Sequence, residues 1–272
     1  MKTRLALVTL FALMASSVAA GEPAAQRVVS LDFCADQFML KLLPRSQILA
    51  LSPDAERHFS YMRDTAKGIP QVRPLAEDVL IIRPDLIVRS YGGGPHAAKF
   101  FESAGVPVVQ VPYAGTIDDI RSTVQFVADQ LGVPERGEQV VAEMDQRLSR
   151  IANHSQDRNA LYMTPAGVTS GPNTLVHDML VAAGLANFET EPGWRSIPLE
   201  RLVYEQPDVV AASFFAAKTN HPAMWSAMRH PVARQQLRDR PTVMLDGAWT
   251  ACGAWFLLDA IEALAAAGHE AK

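Results

Sequence analysis

The chain has no excess of positive charge, only two cysteines, and no apolar run of membrane-spanning length free of charges beyond its opening segment. Each absence closes a class of function. Removing Lys2 and Arg4 with the first twenty residues leaves 23 Lys+Arg against 29 Asp+Glu, a net charge of −6. That balance argues against nucleic acid and against a polybasic membrane surface. The chain also lacks a phosphate-binding P-loop, a G-x-S-x-G elbow and an H-E-x-x-H helix. Its seven histidines show no ligand spacing, so they read as surface residues and no histidine metal site is expected; no cofactor is expected either. Low-complexity and disordered stretches are missing too.

The opening residues read as an export signal. Lys2 and Arg4 precede an apolar core at 5–13, and Val18-Ala19-Ala20 forms a small-residue cleavage site before Gly21. Residues 1–20 are expected to be removed. The remaining 252 residues suffice for one large or two medium domains.

The strongest internal signal is a repeat. Pro74-Leu75-Ala76-Glu77 runs on to Arg83-Pro84-Asp85-Leu86-Ile87-Val88, and Pro198-Leu199-Glu200 to Gln206-Pro207-Asp208-Val209-Val210. In both copies a glutamate stands seven residues before Pro-Asp, with an amphipathic stretch between and an apolar run after. Proline cannot continue a helix, so each copy predicts helix, tight turn and buried strand. The 123-residue offset predicts two similar lobes with a cleft between them.

The surrounding pattern alternates strands and helices. Strands are predicted at 27–31, 48–51, 85–89, 106–111, 160–163, 208–214 and 242–245. Helices are predicted at 35–43, 75–82, 95–104, 116–131, 175–183, 199–205, 222–238 with a break at Pro231, and 254–267 ended by Gly268. Thr116 is the expected cap of its helix. The predicted fold class is therefore α/β, each lobe a mostly parallel sheet flanked by helices. Residues 134–155 predict one long rigid helix joining an N-terminal lobe at 21–133 to a C-terminal lobe at 156–272.

In such sheets the ligand site lies beyond the carboxyl ends of the strands. The loops there carry Phe33, Cys34, Ser90, Tyr91, Tyr113, Trp194, Phe214, Phe215, Trp249 and Cys252, with Arg89 and Arg195 available to a polar edge. An aromatic wall suits a large, flat or greasy ligand. Trp225 and Trp255 sit at helical spacing and read as core. Tyr91-Gly92-Gly93-Gly94 reads as a plain turn, with anion binding as the competing reading. Cys34 and Cys252 are either a disulfide of an oxidising compartment or free thiols facing the ligand, where they could coordinate a soft metal.

With these parts in place the chain resembles the periplasmic substrate-binding proteins of ABC importers. More narrowly, it resembles the group serving vitamin B12 and iron–siderophore complexes, whose lobes are joined by a single rigid helix. The resemblance covers residue 27 to about residue 267. Its most specific parts are the segment at 27–37, the two Glu…Pro-Asp copies, and Trp249-Thr250-Ala251-Cys252-Gly253. It implies a soluble periplasmic protein, expected as a monomer, that captures a metal chelate (corrinoid, ferric siderophore or haem) without catalysis. It further implies that Glu77 and Glu200 dock on the permease at the inner membrane. Trp194 stands six residues before Glu200, as in the B12-binding member, whereas Gln71 and Ser90 occupy the other matching places. The competing expectation is an exported metal-chelate reductase or hydrolase on the same framework, using Cys34 and Cys252.

Overall fold

A computed structural model describes residues 27–151, 158–213 and 226–270. The expected signal at 1–20, the end of the connector at 152–155, and Phe214, Phe215 and Trp225 lie outside these residues.

The first lobe runs β1 (Val28–Ser30), α1 (Phe33–Leu42), β2 (Ile48–Ala50), α2 (Arg63–Ala66), α3 (Ala76–Ile81), β3 (Leu86–Arg89), α4 (Ala97–Ser103), β4 (Val108–Gln110) and α5 (Ile117–Gln130). Helix α6 (Pro134–Ile151) follows. The second lobe runs β5 (Asn159–Met163), β6 (Val168–Ser170), α7 (Leu175–Ala182), β7 (Ala186–Asn187), β8 (Trp194–Ser196), α8 (Arg201–Tyr204) and β9 (Val209–Ser213). It ends with α9 (Pro231–Asp239), β10 (Thr242–Leu245), α10 (Gly247–Thr250) and α11 (Leu257–Glu270).

Each lobe holds a four-stranded parallel sheet, ordered β2-β1-β3-β4 in the first and β7-β5-β9-β10 in the second. Counted along the chain within each sheet, both orders are second, first, third, fourth, so the repeat seen in the sequence is a repeat of topology. The two copies even share a hydrogen bond. Asp85 N donates to Arg27 O at the foot of β1, and Asp208 N donates to Asn159 O at the foot of β5.

Both faces of each sheet are covered, which is why the strands read as continuous apolar runs. Val28, Leu86 and Val88 face a core shared with Ala160, Tyr162 and Val209 of the other lobe. The alternating residues Val29 and Ile87 face a separate outer cluster, as do Leu161, Met163 and Val210 in the second lobe.

Helix α6 is fastened to both lobes. It buries Val140, Met144 and Ile151 in the shared core. Gly137 lies so close to α5 that an added Cβ would stand 2.6 Å from the Ala128 methyl, which is why this helical position carries no side chain. Glu143 pairs with Lys41 of α1 (3.1 Å), while Arg147 pairs with Asp259 (2.6 Å) and Glu262 (2.8 Å) of α11. Tyr61 of the first lobe completes the strut by donating to Asp259 at 2.7 Å. Burial and the facing carboxylate push the Tyr61 phenol up to about 12, and the Arg147 guanidinium holds Glu262 below the usual carboxylate range.

Three local expectations change. The break expected at Pro231 is present, since α9 begins there and the missing N–H of proline suits the first helical position; before it, the described residues form a 3-10 turn at Ala227–Arg229 in place of the expected helix. The last helix starts at Leu257, later than expected, and passes through Gly268 to Glu270. Finally, β6 and β8 pair as a small two-stranded antiparallel sheet where loops were expected. The Thr116 cap is present, with Asp119 N donating to its hydroxyl at 3.0 Å and the Asp119 carboxylate accepting from Thr116 N.

One buried acid makes the first lobe sensitive to pH. Asp36 of α1 is fully buried and accepts from Ser52 N (2.9 Å) and Ser52 Oγ (2.6 Å). Desolvation nevertheless raises its pKa from 3.8 to about 6. The folded chain thus holds this proton more tightly than the unfolded one, and stability from this group falls as pH rises from about 4 to about 6. The displacement corresponds to roughly 3 kcal/mol at neutral pH. Urea unfolding at a series of pH values is expected to show that Asp36→Asn loses this decline over the same window.

Candidate functional site

The site is built outward from Asp32, which links β1 to α1. Its Oδ1 caps α1 by accepting from Ala35 N at 3.0 Å. Its Oδ2 accepts three backbone amides of the loop after β3: Ser90 N (2.7 Å), Tyr91 N (3.0 Å) and Gly92 N (2.9 Å). Asp32 is itself buried. An anion does sit in this glycine-rich turn, but it is the protein's own carboxylate. Gly92 is required because a Cβ there would lie 2.2 Å from Leu31 O.

Arg89 holds the same loop from the other side. Its guanidinium donates to Gly92 O (2.8 Å), Gly94 O (2.9 Å) and Gln110 Oε1 (2.8 Å), and the residue is buried. It was expected at the ligand's polar edge. The structure instead places it beneath the loop, outside the cavity wall, because the turn's carbonyls converge on it.

The cysteines form a disulfide, with Cα atoms 5.7 Å apart. Cys34 lies in the first turn of α1 and Cys252 just after α10, so the bridge joins the lobes across a span of 218 residues. Both cysteines line the cavity between the lobes, which has a volume of about 970 Å³. No free thiol remains, and the reading that gave these sulfurs to a soft metal or to catalysis is set aside.

The cavity brings together Phe33, Cys34, Ser90, Tyr91, Tyr113, Trp194 and Cys252 of the expected residues. Tyr91, Tyr113 and Trp194 keep 55, 85 and 57 % of their surface exposed at its mouth, an arrangement that leaves aromatic faces open to a ligand. Their backing is also aromatic. Phe33 meets Tyr91 edge-on at 6.0 Å and Phe59 at 4.9 Å, and Tyr162 meets Trp194 at 6.1 Å. Burial and the nearby Asp32 carboxylate push the Tyr91 phenol up, so its hydroxyl stays a neutral donor.

Arg195 and Trp249 are not in the wall. Arg195 is exposed on β8, opposite Thr169 of β6, and Trp249 packs on α10 against the shared core. Trp255, read as core, is buried against Phe38 at 5.6 Å. Sequence reasoning missed Phe38, Gln110, Tyr162 and Met179, all of which reach the cavity from within regular elements. Gln110 and Tyr162 are signalled only by lying in the last two residues of their strands' carboxyl ends.

The chemistry of the wall is uniform. Among the described residues it holds no Asp, Glu, Lys, Arg or His, and its polar groups are hydroxyls and one amide, including Ser90, Thr164, Thr250 and Gln110. Nor do the described residues contain a cluster of three or more acidic, histidine or cysteine side chains able to hold a metal ion. Such a surface stacks on and hydrogen-bonds to a large ligand without opposing a net charge.

Residues 62–243 match the family described as periplasmic binding protein. A cobalamin-binding protein of Halobacterium salinarum is 26 % identical over 206 residues, which are 70 % of this chain and 54 % of that protein. The chain thus spans about half the length of this relative. A vitamin B12-binding protein of Pectobacterium carotovorum is 25 % identical over 68 % of this chain and 70 % of its own. Among solved structures, a periplasmic heme binding protein from Pseudomonas aeruginosa superposes with a TM-score of 0.67 at 24 % identity, over 89 % of this chain and 92 % of that one.

Two substitutions test how the site is held. Asp32→Ala orphans three loop amides and the α1 cap, with an expected loss of roughly 3 kcal/mol in denaturant unfolding. Amide exchange at residues 90–92 should accelerate in the same variant. Replacing both cysteines by serine is expected to remove roughly 2 to 5 kcal/mol, measured against the oxidised protein in guanidinium.

Proposed function

The chain belongs to the periplasmic binding protein family, and from that premise we propose that it is the substrate-binding component of an ABC importer. In this reading the protein works in the periplasm after removal of residues 1–20. It captures a metal chelate between its lobes and delivers it to the permease. The family is one of substrate-binding proteins, and with both thiols in a bridge the enzymatic alternative has lost the groups on which it relied.

One observation carries the choice of cargo: a cavity of about 970 Å³ with aromatic faces and no charged side chain in its described wall. A tris-catecholate iron complex or a haem brings anionic groups that such a wall leaves without counter-charge. A corrinoid brings a broad ring fringed with neutral amides, which suit Ser90, Gln110, Thr164 and Thr250 as hydrogen-bond partners. The two cobalamin-type relatives point the same way. Cyanocobalamin is therefore the favoured ligand among the three chelate classes.

Calorimetric titration with cyanocobalamin, haemin and a ferric tris-catecholate is the direct comparison. Saturable binding is expected for cyanocobalamin, with Trp194→Ala about tenfold weaker. Tighter binding of either anionic chelate overturns the assignment.

Delivery is assigned to Glu77 and Glu200. Both carboxylates are exposed, one at the start of α3 and one immediately before α8, and neither enters a salt bridge among the described residues. Converting both to arginine is expected to abolish cargo uptake by cells while cargo affinity in solution stays unchanged. Undiminished uptake by that variant counts against docking at these positions.

A further inference from the structure

The equivalence between lobe tips extends beyond the glutamates. The offset that relates Glu77 to Glu200 also relates Val79 to Leu202 and Ile81 to Tyr204. Val79 and Leu202 are buried, pinning α3 and α8 to their lobes. Ile81 and Tyr204 are the opposite: they remain 79 % and 86 % exposed, among the most exposed large apolar side chains described. Each stands four residues after its glutamate, which puts carboxylate and apolar group on one helical face, a turn apart. Leu75 beside the first pair and Val203 beside the second, both exposed, widen the apolar surface at each tip.

An exposed carboxylate alone steers and orients a partner but contributes little affinity, because water and salt screen it. An apolar group closing over the same contact excludes water and strengthens the ion pair it borders. The fold repeats this combination at both tips, although the residue types differ and neither the shared core nor the cavity uses Ile81 or Tyr204.

We propose that Ile81 and Tyr204 are the affinity-bearing anchors of a two-point docking surface, each working with the glutamate one turn before it. The partner is an integral-membrane protein that presents two matching sites, each an arginine beside a shallow apolar socket. Two equivalent tips on one chain call for two equivalent sites on the partner, as a two-fold symmetric permease dimer supplies. Because one site receives isoleucine and the other tyrosine, the sockets are shallow and adaptable rather than shaped to one side chain. This inference rests on the docking role given to Glu77 and Glu200 and adds the groups that provide the binding energy.

The test uses the full chain in its own host, with the photoreactive residue p-benzoylphenylalanine placed singly at 81, 204, 77 or 200, and at Phe100 as an exposed reference. Illumination is expected to link positions 81 and 204 to the same polytopic ABC permease subunit, and not position 100. Purified protein should then bind proteoliposomes containing that permease, with Ile81→Ser and Tyr204→Ser each weakening binding about tenfold. Labelling of the permease from 77 and 200 but not from 81 and 204 overturns the anchor role and leaves the glutamate docking intact. Unchanged binding by the serine variants does the same. Labelling of no permease from any of the four positions overturns docking at the tips altogether, as does capture of only a second copy of this chain.

Discussion

The carboxylate of Asp32 is the interaction on which the site depends. One oxygen fixes the first turn of α1, and with it Phe33 and Cys34; the other gathers the backbone of Ser90, Tyr91 and Gly92. The cavity floor and one aromatic wall are thereby set by a single buried residue between β1 and α1. Arg89 completes the arrangement by taking the carbonyls that the turn directs inward. Acid and base are both engaged with backbone, and the wall above them is left to aromatic rings and neutral polar groups.

The lobes are held at two separated places. Behind the cleft, α6 lies in a continuous core and is pinned by Lys41, Asp259 and Glu262; at the cleft floor, the Cys34–Cys252 bridge ties α1 to the segment after α10. A hinge needs one axis free to turn. Two separate attachments between the lobes, one of them covalent, restrict such turning.

Much of this was legible in the sequence where a residue type carries one physical meaning. The Pro-Asp copies announced equivalent strands, and the structure returns them as β3 and β9 in sheets of the same order. The long amphipathic stretch announced α6, and the Thr116 cap held. Legibility failed where one residue has two uses. Arg89 reads as a cation at a cleft edge, yet the glycine-rich turn after it leaves carbonyls that a buried guanidinium satisfies. Trp249 follows a strand end, as Trp194 precedes a helix, but it lies on a short helix and packs inward. Phe38 and Met179 lie in helices, and only the packing of the two lobes turns them toward a shared cavity.

The disulfide also bears on how the molecule matures. Its partners are the chain's only cysteines and stand 218 residues apart, one in each lobe. Within a single chain there is no wrong pairing to form and none to reshuffle. Cys34 has no intramolecular partner until the 217 residues between it and Cys252 have followed it. In the folded chain the bond spans the cleft, so an oxidised molecule keeps its two lobes covalently joined at the place where the ligand cavity opens.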